Sequence, residues 1–356
     1  MKTLDIAVIG CGQAGRGHVK SCQRNPNVGG VAGAEVIPQN AEITRQECGI
    51  EVLEDYRALL TRPEIDAVII AASNRMHPPM ALDALRAGKH VLCEKPMALN
   101  EPDAREMVRV AREQQRILHV GFELRNSVLP LRVADILKSG EIGTSVSFQV
   151  IHYRGAFCPQ WKGKRTDGGS MFLMETCHVI DLFRFWSGDE VESVVSIGAP
   201  KVVPYYEFHD TDFSTFIFRS GLVGHVVTCH TRSGNPEVWT DEVGYSEPYG
   251  HQYEYTVTGT EGALRFLPLK GILYVLQHSQ NDNGYFSGKL KRAEDFSHLR
   301  LHTLIHDTAT EVNNFIDAIR EGRDTNITPE DALNTHLVCY AGQESQDSGE
   351  RVRIQC

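Results

Sequence analysis

Two groups of residues in this chain have the types and spacing that small-molecule chemistry requires. The first is Gly10-Cys11-Gly12-Gln13-Ala14-Gly15, set directly after the apolar run Leu4–Ile9. A G-x-G-x-x-G turn between strand and helix suits a pyrophosphate. The first glycine permits the tight turn, the second lets backbone approach the phosphates, and the third packs helix on strand. The amides that open the helix, at Gln13 and Ala14, then face the phosphate charge. The strand-like segment Val28–Val36 follows and carries Glu35 near its end. A carboxylate there can accept from both ribose hydroxyls of an adenosine and repels a 2′-phosphate. The next basic residue is Arg45, so NAD is favoured over NADP. The second group lies in the segment Met171–Trp186. At 3.6 residues per turn Met174, His178 and Asp181 share one stripe, and Glu175 stands within i, i+3 reach of His178. A histidine so placed is either a base titrating near neutrality or a core imidazole satisfied by a carbonyl.

Alternating elements must position these residues. After Val52–Leu60, which reads as helical, Ile65–Ala72 is a near-continuous apolar run, as in a strand buried on both faces. Pro79–Ala87 reads as a helix stopped by Gly88, His90–Cys93 as a strand, and Ala104, Met107, Val108 and Ala111 mark a helix. Ile117–Phe122 reads as a further strand. Repeated β-α-β units predict a doubly wound parallel sheet over residues 1–122, with ligand at the carboxyl ends of the strands. Ser73, Asn74 and His77 follow one such end, and Glu94-Lys95-Pro96 follows another. From residue 123 to 356 the pattern changes. Helix Val128–Lys138 precedes period-two segments at Val146–His152, Val191–Ile197, Phe213–Arg219, Val223–Thr231, Tyr253–Gly259 and Ile272–Gln277. These predict one large, mostly antiparallel sheet with flanking helices. A sheet face of that size left open is a large apolar patch, so a homo-oligomer through the C-terminal sheet is expected. Gln280 to Asp307 reads as a long polar loop, and Thr310–Arg320 as the last helix, with a structural stripe.

The 356 residues, with 41% hydrophobic and 23% charged, describe an ordinary globular chain of two domains. A formal charge of -10 makes long polyanions poor partners, so nucleic acid is excluded. No run approaches the ~20 apolar residues of a membrane helix, and no secretory leader is evident. The nine cysteines are scattered with no C-x-x-C, which fits a reduced, cytoplasmic setting. His302 and His306 are spaced i, i+4, but no third ligand stands at a recognisable spacing, so no metal is expected.

Gly88-Lys89-His90-Val91-Leu92-Cys93-Glu94-Lys95-Pro96 resembles the A-G-K-H-V-x-x-E-K-P signature of the Gfo/Idh/MocA oxidoreductases. That family includes glucose–fructose oxidoreductase and inositol dehydrogenase. The resemblance covers most of the chain. It takes in the N-terminal glycines, Asn74 and His77 in the T-P-N-x-x-H place, Val120-Gly121-Phe122 with Arg125, and Gly140-Glu141-Ile142-Gly143. Ala72-Ser73 stands where Thr-Pro is common. The segment from Asp167-Gly168-Gly169-Ser170 to Asp181 is similar to the family's G-G-G-x-L-x-D-x-G-x-H-x-x-D stretch, except that Met174 replaces its first carboxylate.

The resemblance implies a Rossmann domain with Ser73, Asn74, His77, Glu94 and Lys95 on the cofactor. It also implies a cis Lys95–Pro96 peptide. Lys95 is placed between nicotinamide and substrate, and His178 becomes the general base for a substrate hydroxyl. Asp181, Glu175, Trp161, Arg165 and His306 are the substrate candidates.

The activity so implied is NAD-dependent oxidation of a secondary alcohol on a sugar, cyclitol or glycoside, with C3 of a pyranose one candidate position. Two alternatives stand beside it. One is a redox-neutral enzyme that oxidises a sugar transiently so that a neighbouring bond can be cleaved. The other is a non-enzymatic sensor.

Overall fold

The computed structural model describes residues 2–156, 160–231 and 252–355. The chain forms two compact units, Met1–Glu123 with Thr308–His336, and Leu124–Asp307 with Leu337–Cys356.

In the first unit six strands run parallel: β1 (Leu4–Ile9), β2 (Val28–Ala34), β3 (Val52–Leu53), β4 (Ile65–Ile70), β5 (His90–Glu94) and β6 (Leu118–Gly121). Their order, β3-β2-β1-β4-β5-β6, is that of a doubly wound sheet. Strand order reverses between β1 and β4, where such sheets open a crevice at the carboxyl ends. Both central strands are almost wholly buried, which explains their unbroken apolar sequences.

The core joins Leu4, Ile6, Val8, Ala67, Ile69 and Leu92 to Val312, Phe315 and Ile316. Those last three belong to the helix Thr308–Glu321, which a single boundary after residue 122 assigns to the other domain. Its stripe is structural, and it covers the first sheet. Nor is it the last helix, since Pro329–Ser348 follows. Val52–Leu60 divides into β3 and a short helix Tyr56–Leu60, capped by the Asp55 carboxylate on the Arg57 amide.

In the second unit nine strands form one sheet among the described residues. They are β7 (Ser145–Tyr153), β8 (Val191–Gly198), β9 (Thr211–Phe218), β10 (Val223–Cys229), β11 (Gln252–Gly259), β12 (Gly262–Leu267), β13 (Ile272–Gln280), β14 (Phe286–Asp295) and β15 (Val352–Arg353). The order is β14-β13-β12-β11-β7-β10-β9-β8-β15, with only β7 and β10 parallel.

The Gln280–Asp307 stretch is therefore not a loop throughout. It contains β14 and a helix Leu301–Ile305. β14 escapes a periodicity search because most of it is exposed on both faces. The helix Cys177–Ser187 lies on the inner face, where Phe183 packs on Phe148 at 5.2 Å and Trp186 meets Tyr255 and Phe266 edge-on. Among the described residues no helix is long and apolar enough to cross a membrane.

Candidate active site

The nucleotide-type turn closes β1 as its spacing demands. Gly10 has φ +86°, and a Cβ there would lie 2.6 Å from the Ala71 carbonyl oxygen. A Cβ on Gly15 would sit 1.8 Å from the Gly10 oxygen, so helix and strand touch only because both positions lack one. Gly12, by contrast, has nothing within 4 Å of its virtual Cβ. It faces open space at the start of the helix Gln13–Arg24. That helix has no side-chain cap and no acidic residue in its first turn, while Gln13 and Ala14 are exposed. Open backbone, exposed first-turn residues and a first turn free of acidic side chains fit a pyrophosphate.

Glu35 stands just past β2. Its Oε2 accepts from the Cys11 amide at 2.8 Å and its Oε1 from the Ile37 amide at 2.9 Å. A carboxylate has about four lone-pair sites, so ribose hydroxyls can add to these bonds. The Cys11 thiol beside it is pushed up to about 12 by burial and then by Glu35, which leaves it chemically quiet.

At the ends of β4 and β5 the described residues form a linked turn. The Lys95–Pro96 peptide is cis, and Lys95 is partly buried. His77 is buried, with Nδ1 2.7 Å from the Pro96 carbonyl and Nε2 3.1 Å from the Ala72 carbonyl. Burial lowers its pKa although both carbonyls favour the protonated ring, and a neutral ring donates to only one of them. Its ring lies between the Pro96 carbonyl of the Lys95–Pro96 turn and the Ala72 carbonyl just past β4. Ser73 and the buried Asn74 open the 3-10 turn Asn74–Met76 that leads to it.

Glu94 ends β5, and its Oε1 lies 2.7 Å from Nε2 of the buried His18. Burial drives the Glu94 carboxyl up, but the hydrogen bond from His18 and the cations beside it outweigh burial and hold the carboxyl below its usual range.

The second unit gathers a polar cluster at one end of its sheet. Thr228 is in register with Asp212 on one side and His152 on the other, and His152 with Tyr253, so one inward row crosses β9, β10, β7 and β11. His152 stacks on Tyr253 with ring centroids 4.3 Å apart. Its Nδ1 is 3.5 Å from Glu175 Oε1, which also accepts from Arg154 Nη1 at 3.0 Å. Burial, opposed by Glu175 and reinforced by Arg154, His306 and His178, lowers His152 to about 4. His178 and His306 meet edge to face at 6.3 Å.

The side chains at 174 and 175 diverge sharply. Met174 packs among Met171, Val203, Tyr206 and Phe208, while Glu175 enters the polar cluster. The stretch Phe172–Thr176 is a π-helix, whose wider turn changes the phase of these side chains ahead of His178.

Two substrate candidates, Asp181 and Arg165, are engaged by other side chains. Asp181 is fully buried, and both its oxygens accept from Arg125, at 2.6 and 2.7 Å. That bidentate pair ties the His178 helix to Arg125. Arg165 is exposed and binds the Glu207 carbonyl and the Asp347 carboxylate. Trp161 is partly buried, with Lys162 Nζ 5.8 Å above its ring.

Sequence reasoning missed His18, His152, Arg154 and Tyr253. His18 and His152 carry a readable signal, each a titratable residue on a largely apolar inward face: Gly15, His18, Val19, Ser21, Cys22 and Phe148, Val150, His152. Among the described residues no three His, Cys, Asp or Glu side chains converge as a metal site.

Comparison with known proteins places this geometry among relatives. Residues 4–122 match a family model described as an oxidoreductase family, NAD-binding Rossmann fold, and residues 134–354 its C-terminal alpha/beta domain. Myo-inositol 2-dehydrogenase of Thermotoga maritima is 26% identical over 99% of both chains. The structure of levoglucosan dehydrogenase with NADH and levoglucosan superposes with TM-score 0.83 at 21% identity, covering 100% of both chains. Scyllo-inositol dehydrogenase from Lactobacillus casei, with NAD(H) and scyllo-inositol, gives TM-score 0.78 at 22% identity over 99% of both.

Proposed function

The chain belongs to the Gfo/Idh/MocA oxidoreductase family, with an NAD-binding Rossmann unit, and on that premise we propose that it oxidises a secondary alcohol of a cyclic polyol, sugar or glycoside with NAD. The observation that carries this reading is the cluster of His178, His306, His152, Tyr253, Glu175 and Arg154. A ring bearing several hydroxyls needs donors and acceptors together in a partly buried place, and this cluster supplies both. The names of the relatives, two inositol dehydrogenases and a levoglucosan dehydrogenase, agree in substrate class.

NAD, held at the glycine turn and by Glu35, would supply the acceptor for the hydride of the carbinol carbon. The remaining steps belong to the chain. His178 takes the hydroxyl proton as the C–O bond becomes a carbonyl, so one hydride and one proton leave the alcohol. Lys95 stands at the end of β5 as the second proton-carrying group. Glu35, oriented by two backbone amides, favours the unphosphorylated ribose of NAD. The outer face of the C-terminal sheet joins copies of the chain.

A panel of inositols, free sugars and glycosides, each offered with NAD or NADP, tests this by absorbance of the reduced nicotinamide. Accumulating NADH with at least one polyol, and weaker use of NADP, is expected. Substrate consumption without net NADH would replace the dehydrogenase by a redox-neutral enzyme.

A further inference from the structure

We propose that His18 is a positioning residue for the nicotinamide end of the dinucleotide site, acting through Glu94. His18 is fully buried on the helix Gln13–Arg24, whose N-terminus meets the glycine turn. Its Nε2 lies 2.7 Å from Glu94 Oε1. An ionised carboxylate only accepts, so Nε2 carries the proton and donates. Nδ1 is buried with no hydrogen-bond partner among the described residues, which leaves Glu94 as the ring's polar contact there. Burying an imidazole for a single bond is costly where an apolar side chain could pack, so the bond itself has a task.

That task is geometric. Glu94 is the residue immediately before Lys95. Its other oxygen faces β6, where a Cβ on Gly121 would come within 3.1 Å of Oε2. Glu94 is therefore framed by His18 on one side and the bare backbone of Gly121 on the other. In a doubly wound sheet the dinucleotide divides at the switch between β1 and β4. Glu35 marks the adenosine half beside β2, which leaves the nicotinamide half to the β4–β5 side, where Glu94 stands. One helix thus presents its N-terminus to the pyrophosphate and, in its second turn, fixes the strand end beside the nicotinamide. All these groups lie within the first unit, so the inference rests on the dinucleotide site and not on the identity of the alcohol.

The test compares His18→Leu, which removes the donor, with His18→Gln, which returns an N–H near Nε2. NADH affinity is read from nicotinamide fluorescence, and ADP-ribose affinity by calorimetry, on the full chain. His18→Leu is expected to weaken NADH about tenfold, as loss of a charge-assisted hydrogen bond does, while ADP-ribose stays within about twofold. His18→Gln recovers most of the loss. Adding Glu94→Gln to His18→Leu changes little more, because the two act as one unit. Equal weakening of NADH and ADP-ribose would reduce His18 to core packing and overturn the proposal, as would unchanged NADH affinity in His18→Leu. A wild-type chain that bound ADP-ribose and NADH not at all would overturn the dinucleotide reading itself, and this proposal with it.

Discussion

In the proposed reaction Lys95 and His178 are the proton-carrying groups, and each owes its setting to neighbours within its own unit. Lys95 stands between Glu94, tied to His18, and Pro96, whose carbonyl meets His77. His178 stands on a helix anchored by the bidentate Arg125–Asp181 pair, with His306 against its ring. Removing a general acid or base costs about 10²–10⁴ in rate. Lys95→Ala and His178→Ala are therefore each expected to lose at least about 100-fold in kcat, while fluorescence titration still shows NADH bound. Near-normal turnover in either variant would remove that residue from the mechanism.

The inward row of the second sheet holds one carboxylate with an unusual setting. Asp212 on β9 is fully buried, and burial, only partly offset by the Thr228 hydroxyl, pushes it up to about 7 from 3.8. The sign follows from linkage. Below pH 3.8 both folded and unfolded forms hold the proton. Between 3.8 and 7 the unfolded chain releases it first, so stability is lost as pH rises through that window. Asp212→Asn removes this loss. It is expected to stabilise the protein at pH 8, by up to about 4 kcal/mol at 1.36 kcal/mol per pH unit, and to do far less at pH 4.5. Urea denaturation of both chains at the two pH values measures this. A stability difference that does not change with pH would show that Asp212 stays ionised throughout. His152, in the same row and lowered to about 4, works in the opposite direction and is common to both chains, so it cancels in the comparison.

At the scale of the whole molecule, the proposed contact between copies is the outer face of the nine-stranded sheet. Ile197, Phe213, Val227 and Ile151 lie in register across β8, β9, β10 and β7, with Ile197 66% and Phe213 46% exposed. A monomer rarely leaves such a patch to water. Sedimentation velocity at micromolar protein should show an assembly of several chains. The double variant Ile197→Lys with Phe213→Lys should sediment as a smaller species. A wild-type chain already sedimenting as a monomer would leave this face without that role.

What the sequence determined by itself was whatever depends on near neighbours. The glycine turn, Glu35 past β2, and Glu94-Lys95-Pro96 closing β5 were legible because a tight turn and a strand end are local events. The alternation of apolar runs was enough for two kinds of sheet. The tertiary structure decided whatever depends on residues far apart in the chain. His18 reaches Glu94 across 76 positions, Arg125 takes Asp181 across 56, and Arg154 takes Glu175 across 21. No spacing rule could pair Asp181 with Arg125, or choose Glu175 over Met174, because a buried carboxylate goes to whichever cation the packing brings within reach. The stretch Thr308–His336 joined the first unit for a like reason. Val312, Phe315 and Ile316 bury their stripe in one core with Ile6, Val8 and Ile69, and burial of apolar area takes no account of order along the chain.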